Sequence, residues 1–180
     1  FKGESLESST SVESTVPDEY AVQGFWSTRL RVANPSKTID VLTNLFEFVK
    51  ADEEGGLLRL ATDANKGENV IIDPSESEMG KVRRGIVHHV AFRAKDEIEL
   101  SRLREIVISM GMNPSEIIDR HWFKSVYFRE PNGILFEIAT DGPGYTADEE
   151  FEHLGETLIL PPWLEPRRTL IENTLPELNI

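Results

Sequence analysis

The sequence predicts an α+β fold: two βαβββ modules in tandem, forming a curved mixed sheet with an open cup. Three observations predict it. The chain states one pattern twice, opening at "GFWSTRLRVANPSKTIDVLTNLFEFV" and again at "GIVHHVAFRAKDEIELSRLREIVISMG". Each copy begins with alternating residues, as a half-buried strand does, and then shifts to helical spacing. The copies stand about 60 residues apart, a module length rather than a solenoid repeat.

Composition narrows the function. The 180 residues suffice for one cored domain or two small modules. There is no cysteine, which excludes disulfides, thiolate metal sites and cysteine nucleophiles and fits a cytoplasmic setting. No apolar run is long enough to span a membrane, and no secretory core is present. The formal net charge of -13 repels nucleic acid backbone and anionic lipid, so neither nucleic acid nor membrane is an expected partner.

Residues 1–19, rich in Ser, Glu and Thr, read as a linker or tail. The first module is expected over 20–80. Leu30 and Val32 alternate with Arg29 and Arg31; Asn34 and Pro35 mark a helix start. Ile39, Leu42, Leu45 and Phe46 then fall on one helical face. "EFVKAD", "LLRLATD" and "NVIID" read as three strands. The second module is expected over 81–142. Its opening strand alternates Val90 and Phe92 with Ala91 and Arg93, and Asp96 marks the next helix start. Leu100, Leu103, Ile106, Val107 and Met110 make the apolar face, closed at Gly111. "EIIDRHW", "SVYFRE" and "ILFEIATD" follow, the last two joined by "PNG", whose Asn-Gly pair tolerates positive φ. Residues 143–180, rich in Pro, read as a packing arm with a short helix over "PRRTLIENTL".

Strand alternation sorts the chemistry. Ile86, His88, Val90 and Phe92 should share the packed face of the opening strand, and Val87, His89 and Ala91 the cup face. On the closing strand Ile134, Phe136 and Ile138 pack, leaving Glu137 with Leu135 and Ala139 toward the cup. A histidine and a carboxylate aimed at one cavity suit a divalent metal. A lone histidine on such a strand is more often structural, but a carboxylate between Phe and Ile is expensive to bury unpaired.

The repeat, with "HHVAF" opening one copy and "REPNGILFEIATD" closing it, resembles the vicinal oxygen chelate superfamily of glyoxalases, bleomycin-resistance proteins and extradiol dioxygenases. "IIDRHWFKSVYFREPNGILFEIATDGPGYTADE" with "LGETLILPPWLEPRR" is similar to the C-terminal half of hydroquinone-type ring-cleaving dioxygenases. The resemblance runs from about Tyr20 to the end. It implies a non-haem Fe(II) or Mn(II) centre with His89 and Glu137 as ligands and His88 beside them. It also implies Arg120 and Tyr127 as groups that bind and polarise a small aromatic substrate, with O2 as the second reactant. For Arg120 a surface ion pair with Asp119 or Glu116 is the alternative.

Aligning the copies puts Ser27 at the position of His89 and Ile71 at that of Glu137, so the first copy carries neither ligand. A third ligand is expected from an N-terminal half of the same protein, with this chain, which begins at Phe1, as an inactive C-terminal domain on its own. His121 and His153 are lesser candidates. Other readings are a glyoxalase-like lyase or isomerase, which would want more carboxylate ligands, and a metal-free binding module walled by Trp26, Trp122, Phe123 and Tyr127. Sheet edges and the apolar arm are surfaces that a homodimer would cover.

Overall fold

The structure is a computed structural model and describes residues 16–17, 20, 24–63, 68–74 and 85–176. The expected linker over 1–19 lies almost wholly outside them. The first module runs β1 (Ser27–Arg31), α1 (Pro35–Phe46), β2 (Val49–Glu54), β3 (Leu57–Ala61), β4 (Asn69–Asp73). The second runs β5 (Val90–Ala94), α2 (Glu97–Ser109), β6 (Ile118–Asp119), β7 (Lys124–Arg129), β8 (Leu135–Thr140). In the tail a short helix, α3, spans Arg168–Thr174.

The mixed sheet is built as two open four-stranded sheets, ordered β1-β4-β3-β2 and β5-β8-β7-β6. In each, the opening strand pairs parallel with the closing strand and the other pairings are antiparallel. A parallel neighbour can be reached only through a crossover, which α1 and α2 supply.

Local sequence explains the helices. Pro35 stands in the first turn of α1, where its missing N–H costs nothing. Asn34 precedes it without a side-chain cap. Its backbone is held from the other module instead: its N–H donates to Asn132 Oδ1 and its carbonyl accepts from Asn132 Nδ2, both at 2.9 Å. The start of α2 is capped reciprocally. Asp96 accepts from the Glu99 N–H, and the Glu99 carboxylate accepts from the Lys95 N–H, each at 2.8 Å. Gly111, at φ 79°, turns the chain out of α2.

One core joins the modules. Val41, Leu42 and Leu45 of α1 and Leu100, Leu103 and Val107 of α2 are buried. They share a cluster with Leu30, Leu60 and Ile72 of the first sheet and Val126, Phe128, Phe136 and Ile138 of the second. Each such side chain contributes about 1.5–3 kcal/mol on burial. Phe46 of α1 stacks on Phe92 of β5 with ring centres 3.9 Å apart.

A buried carboxylate also ties the modules together. Glu130, 2 % exposed, accepts from the Thr38 hydroxyl at 2.7 Å and from the backbone N–H groups of Asn132 and Ile134 at 2.8 and 3.1 Å. Asn132 Nδ2 donates to Thr38 Oγ1 as well, at 2.8 Å. Donors from both modules make a charge tolerable here that would otherwise cost several kcal/mol. "PNG" does turn β7 into β8, as its sequence predicts, but its asparagine also clamps α1.

Two strands are shorter than their sequences predict. The opening strand of the second module begins at Val90, not Ile86. Among the described strands its one neighbour is β8, in a parallel register that starts at Val90–Phe136. One step earlier in that register His89 falls opposite Leu135, the first residue of β8, and the residues before His89 fall opposite Ile134 and the turn preceding β8, which offers no ladder. Ile86, Val87 and His88 are accordingly exposed. His88 therefore does not lie on the packed face. The "EIIDRHW" strand shrinks to Ile118–Asp119. There the chain reverses at His121–Trp122, with the Arg120 N–H donating to the Phe123 carbonyl at 2.8 Å. His121 supplies the positive φ, 75°, that such a two-residue connection demands. No glycine announces this turn.

Candidate metal and substrate site

The site is organised around β8. Phe136 and Ile138 point into the core, and alternation sends Glu137 to the other face. Glu137 is flanked in register by Ala91 of β5 on one side and Tyr127 of β7 on the other. Val126 and Phe128 are buried in the core, so Tyr127 is presented beside Glu137. The face assignment made for Glu137 from alternation matches this arrangement.

Glu137 is 4 % exposed. Its Oε2 lies 2.8 Å from His89 Nε2, while its Oε1 is buried with no hydrogen-bond partner. A buried carboxylate with one orphaned oxygen is costly. His89 comes from the segment leading into β5, and its Nδ1 faces His88 Nδ1 at 2.9 Å. One of those two rings must donate and the other accept. The His89 ring also meets the Tyr127 ring edge-on at 5.8 Å. The guanidinium carbon of Arg120 lies 5.5 Å from the centre of that ring, within cation–π reach. His88, His89, Arg120, Tyr127 and Glu137 thus meet in one place.

Electrostatics at the phenol are mixed. Burial, aided by the neighbouring Glu137 carboxylate, holds the Tyr127 hydroxyl above its ordinary value of 10.0, against opposing pulls from Ser125 and Arg120. Near neutral pH Tyr127 is therefore a proton carrier that donates, not a phenolate base. The alternative partners for Arg120 have other contacts: Glu116 pairs with Arg104, and Asp119 Oδ1 accepts from the His121 N–H.

The first module lacks this constellation. Arg29 pairs in register with Ile71 as Ala91 does with Glu137, so Ile71 occupies the position equivalent to Glu137. Arg59, opposite Ile71, occupies that of Tyr127. The surroundings are ion-paired: Arg29 and Arg31 converge on Asp73, and Arg59 binds Asp52 and Asn69. Trp26 lies 6.0 Å from Arg59. Among the described residues no three His, Cys, Asp or Glu side chains gather as a metal-binding group. His121 pairs with Asp148 and His153 with Glu156.

A cavity of about 1100 Å³, lined by Phe46, Phe48, Phe92, Arg93, Arg102 and Asp141 among others, does not include these residues. It lacks a histidine–carboxylate pair, and the chemistry argues for the Glu137 face instead.

A model of the Glyoxalase/Bleomycin resistance protein/Dioxygenase superfamily matches residues 24–138. The chain belongs to this superfamily. Curated relatives in it include "Putative ring-cleaving dioxygenase MhqE" of Bacillus subtilis, 44% identical over 158 residues. That match takes in 88% of this chain and 52% of the relative. The chlorohydroquinone/hydroquinone 1,2-dioxygenase of Sphingobium indicum is 32% identical over 155 residues, covering 83% of this chain and 48% of the enzyme. The chain thus spans about half the length of these relatives. Among solved structures, a protein described as a putative dioxygenase from Bacillus subtilis superimposes with a TM-score of 0.91 at 35% identity. It covers 97% of this chain and 56% of that one. The superfamily's ring-cleaving members, rather than its lyases, dominate the curated likenesses. No described helix is long and apolar enough to cross a membrane.

Sequence reasoning missed three features of the site region. Asp148 binds both His121 and Trp122, Glu130 is buried, and Asn132 clamps the modules. Only Glu130 carried a signal, as an acid at the end of an apolar strand.

Proposed function

We propose that this chain is the C-terminal, metal-binding part of a non-haem ring-cleaving dioxygenase acting on hydroquinone- or catechol-like aromatics with O2. One observation carries the reading: Glu137 is buried with one oxygen on His89 and the other without a hydrogen-bond partner among the described residues. Two donors of this type, one anionic and one imidazole, fit Fe(II) or Mn(II) as two members of a two-histidine, one-carboxylate set. The completing histidine comes from outside the described residues, in this reading from an N-terminal half of the same protein. The names of the relatives support the reaction class and the ring chemistry.

A divalent metal held by His89 and Glu137 would acidify the substrate phenol and bring it beside O2. The chain's own groups do the rest. The His88 ring fixes the orientation of His89 through their Nδ1 atoms, as outer partners of ligating histidines commonly do. Arg120 places a permanent positive charge where the ring oxygen gains negative charge. Tyr127, kept protonated, donates a hydrogen bond to substrate oxygen. A glyoxalase-like lyase would want further carboxylates, and among the described residues no third His, Asp or Glu joins Glu137 and His89 in a metal-binding group.

The test is direct. The protein with its N-terminal half is loaded anaerobically with Fe(II), given hydroquinone and then air. A ring-cleavage product absorbing in the near-ultraviolet is expected. Intact substrate at full metal occupancy refutes the reading.

A further inference from the structure

The turn that carries Arg120 is built on a strained residue with an unusual anchor. His121 sits at φ 75°, a conformation for which glycine is the default and which strains a residue with a Cβ. Its strain is held by side chains rather than by the turn alone. The His121 N–H donates to Asp119 Oδ1 at 2.7 Å. On the far side, a single oxygen of Asp148, Oδ2, lies 2.7 Å from both His121 Nε2 and Trp122 Nε1. The Gly144 N–H donates to the Trp122 carbonyl at 2.8 Å, and the Tyr145 ring packs on Trp122 at 5.6 Å. The first stretch of the tail is thus bolted to both residues at the tip of the β6–β7 hairpin. The side chains of His121 and Asp148 are 23% and 28% exposed, and the contact lies at the surface.

Arg120 immediately precedes that tip. It is itself exposed, and a long side chain at the surface keeps many rotamers unless its backbone is fixed. Its place over the Tyr127 ring therefore depends on the hairpin tip being immobile. We infer that Asp148 is a positioning residue, which locks the His121–Trp122 turn and through it holds Arg120 against Tyr127. Its contribution to turnover rests on the function proposed above; the anchoring itself does not.

Four variants test this: Asp148→Ala, Arg120→Ala, the double variant and Asp148→Asn, with Glu149→Ala as control. Glu149 accepts only from Gly155 and Thr157 within the tail. The first readout is amide hydrogen exchange without substrate. Asp148→Ala is expected to speed exchange at the Arg120 N–H at least about tenfold, with β7 and β8 amides unchanged as the folding control. Asp148→Asn keeps an acceptor oxygen and should restore most of the protection; Glu149→Ala should change nothing. The second readout is kcat and KM for hydroquinone in the metal-loaded full-length protein. Asp148→Ala should lower kcat/KM about tenfold, and should cost nothing further once Arg120 is alanine. Unchanged hairpin exchange overturns the anchor. Additive losses overturn the route through Arg120. Faster exchange in a protein that never cleaves hydroquinone upholds the anchor and refutes the proposed function instead.

Discussion

His89 Nε2 stands 2.8 Å from Glu137 Oε2, and the second oxygen of that carboxylate is buried without a partner. A fold gains no stability from that second oxygen; desolvating it costs about 1–3 kcal/mol. Glu137→Gln should therefore separate binding from folding. Affinity for Fe(II) or Mn(II) is expected to fall at least about a hundredfold, since even partners outside the ligand set are worth 10–100-fold. The metal-free variant should unfold no earlier than wild type. Metal analysis after dialysis and a thermal scan of the apo-protein check the two halves. Unchanged metal content would show that the site is misplaced.

Arg120→Ala should spare the metal and damage turnover. Its guanidinium lies over the Tyr127 ring rather than among the ligands. The expected loss is about 10²-fold in kcat/KM, the effect of removing one group that stabilises developing charge. Metal content should equal wild type. A variant that loses metal as well would place Arg120 in the support of Glu137.

Tyr127 supplies a pH signature. Burial first, and Glu137 second, raise its folded-state pKa above the unfolded value near 10. The protonated form is thus the one the fold favours. That contribution is complete below about pH 10 and is lost as pH rises through the folded value. Tyr127→Phe has no proton to lose, so its stability should decline less than that of wild type above about pH 10. Denaturant midpoints at neutral and alkaline pH decide this. Parallel curves for the two proteins would remove the phenol from the account.

Glu130→Ala should cost about 3–5 kcal/mol, because it strands the Thr38 hydroxyl and two backbone N–H groups that converge on a buried charge. Asn132→Ala should cost less, about 1–2 kcal/mol, since it removes bonds to Asn34 that water can replace. Chemical denaturation measures both. Equal small effects would mean that the modules are held by the apolar core alone.

Much of this protein is legible in its sequence. Period-2 alternation put Glu137 on the cup face, and period-3.6 spacing found the helices of both modules, because those periods are fixed by backbone geometry and need no partner. The repeat fixed the order βαβββ and, through the alignment of Ser27 with His89 and Ile71 with Glu137, the loss of the ligand pair from the first module. What failed to appear were features made by residues far apart in the chain. The opening strand starts only at Val90, where β8 has a single residue, Leu135, earlier in the register, and His88 lies exposed rather than on the packed face. The turn at His121 has no glycine to mark it; its strain is stabilised by Asp119 and by Asp148, 27 residues away. Glu130 can be buried because Thr38, 92 residues away, donates to it. Local periodicity determined which residues face the site. Long-range hydrogen bonds, whose partners no local pattern encodes, decided how Arg120 and the two modules are held in place around it.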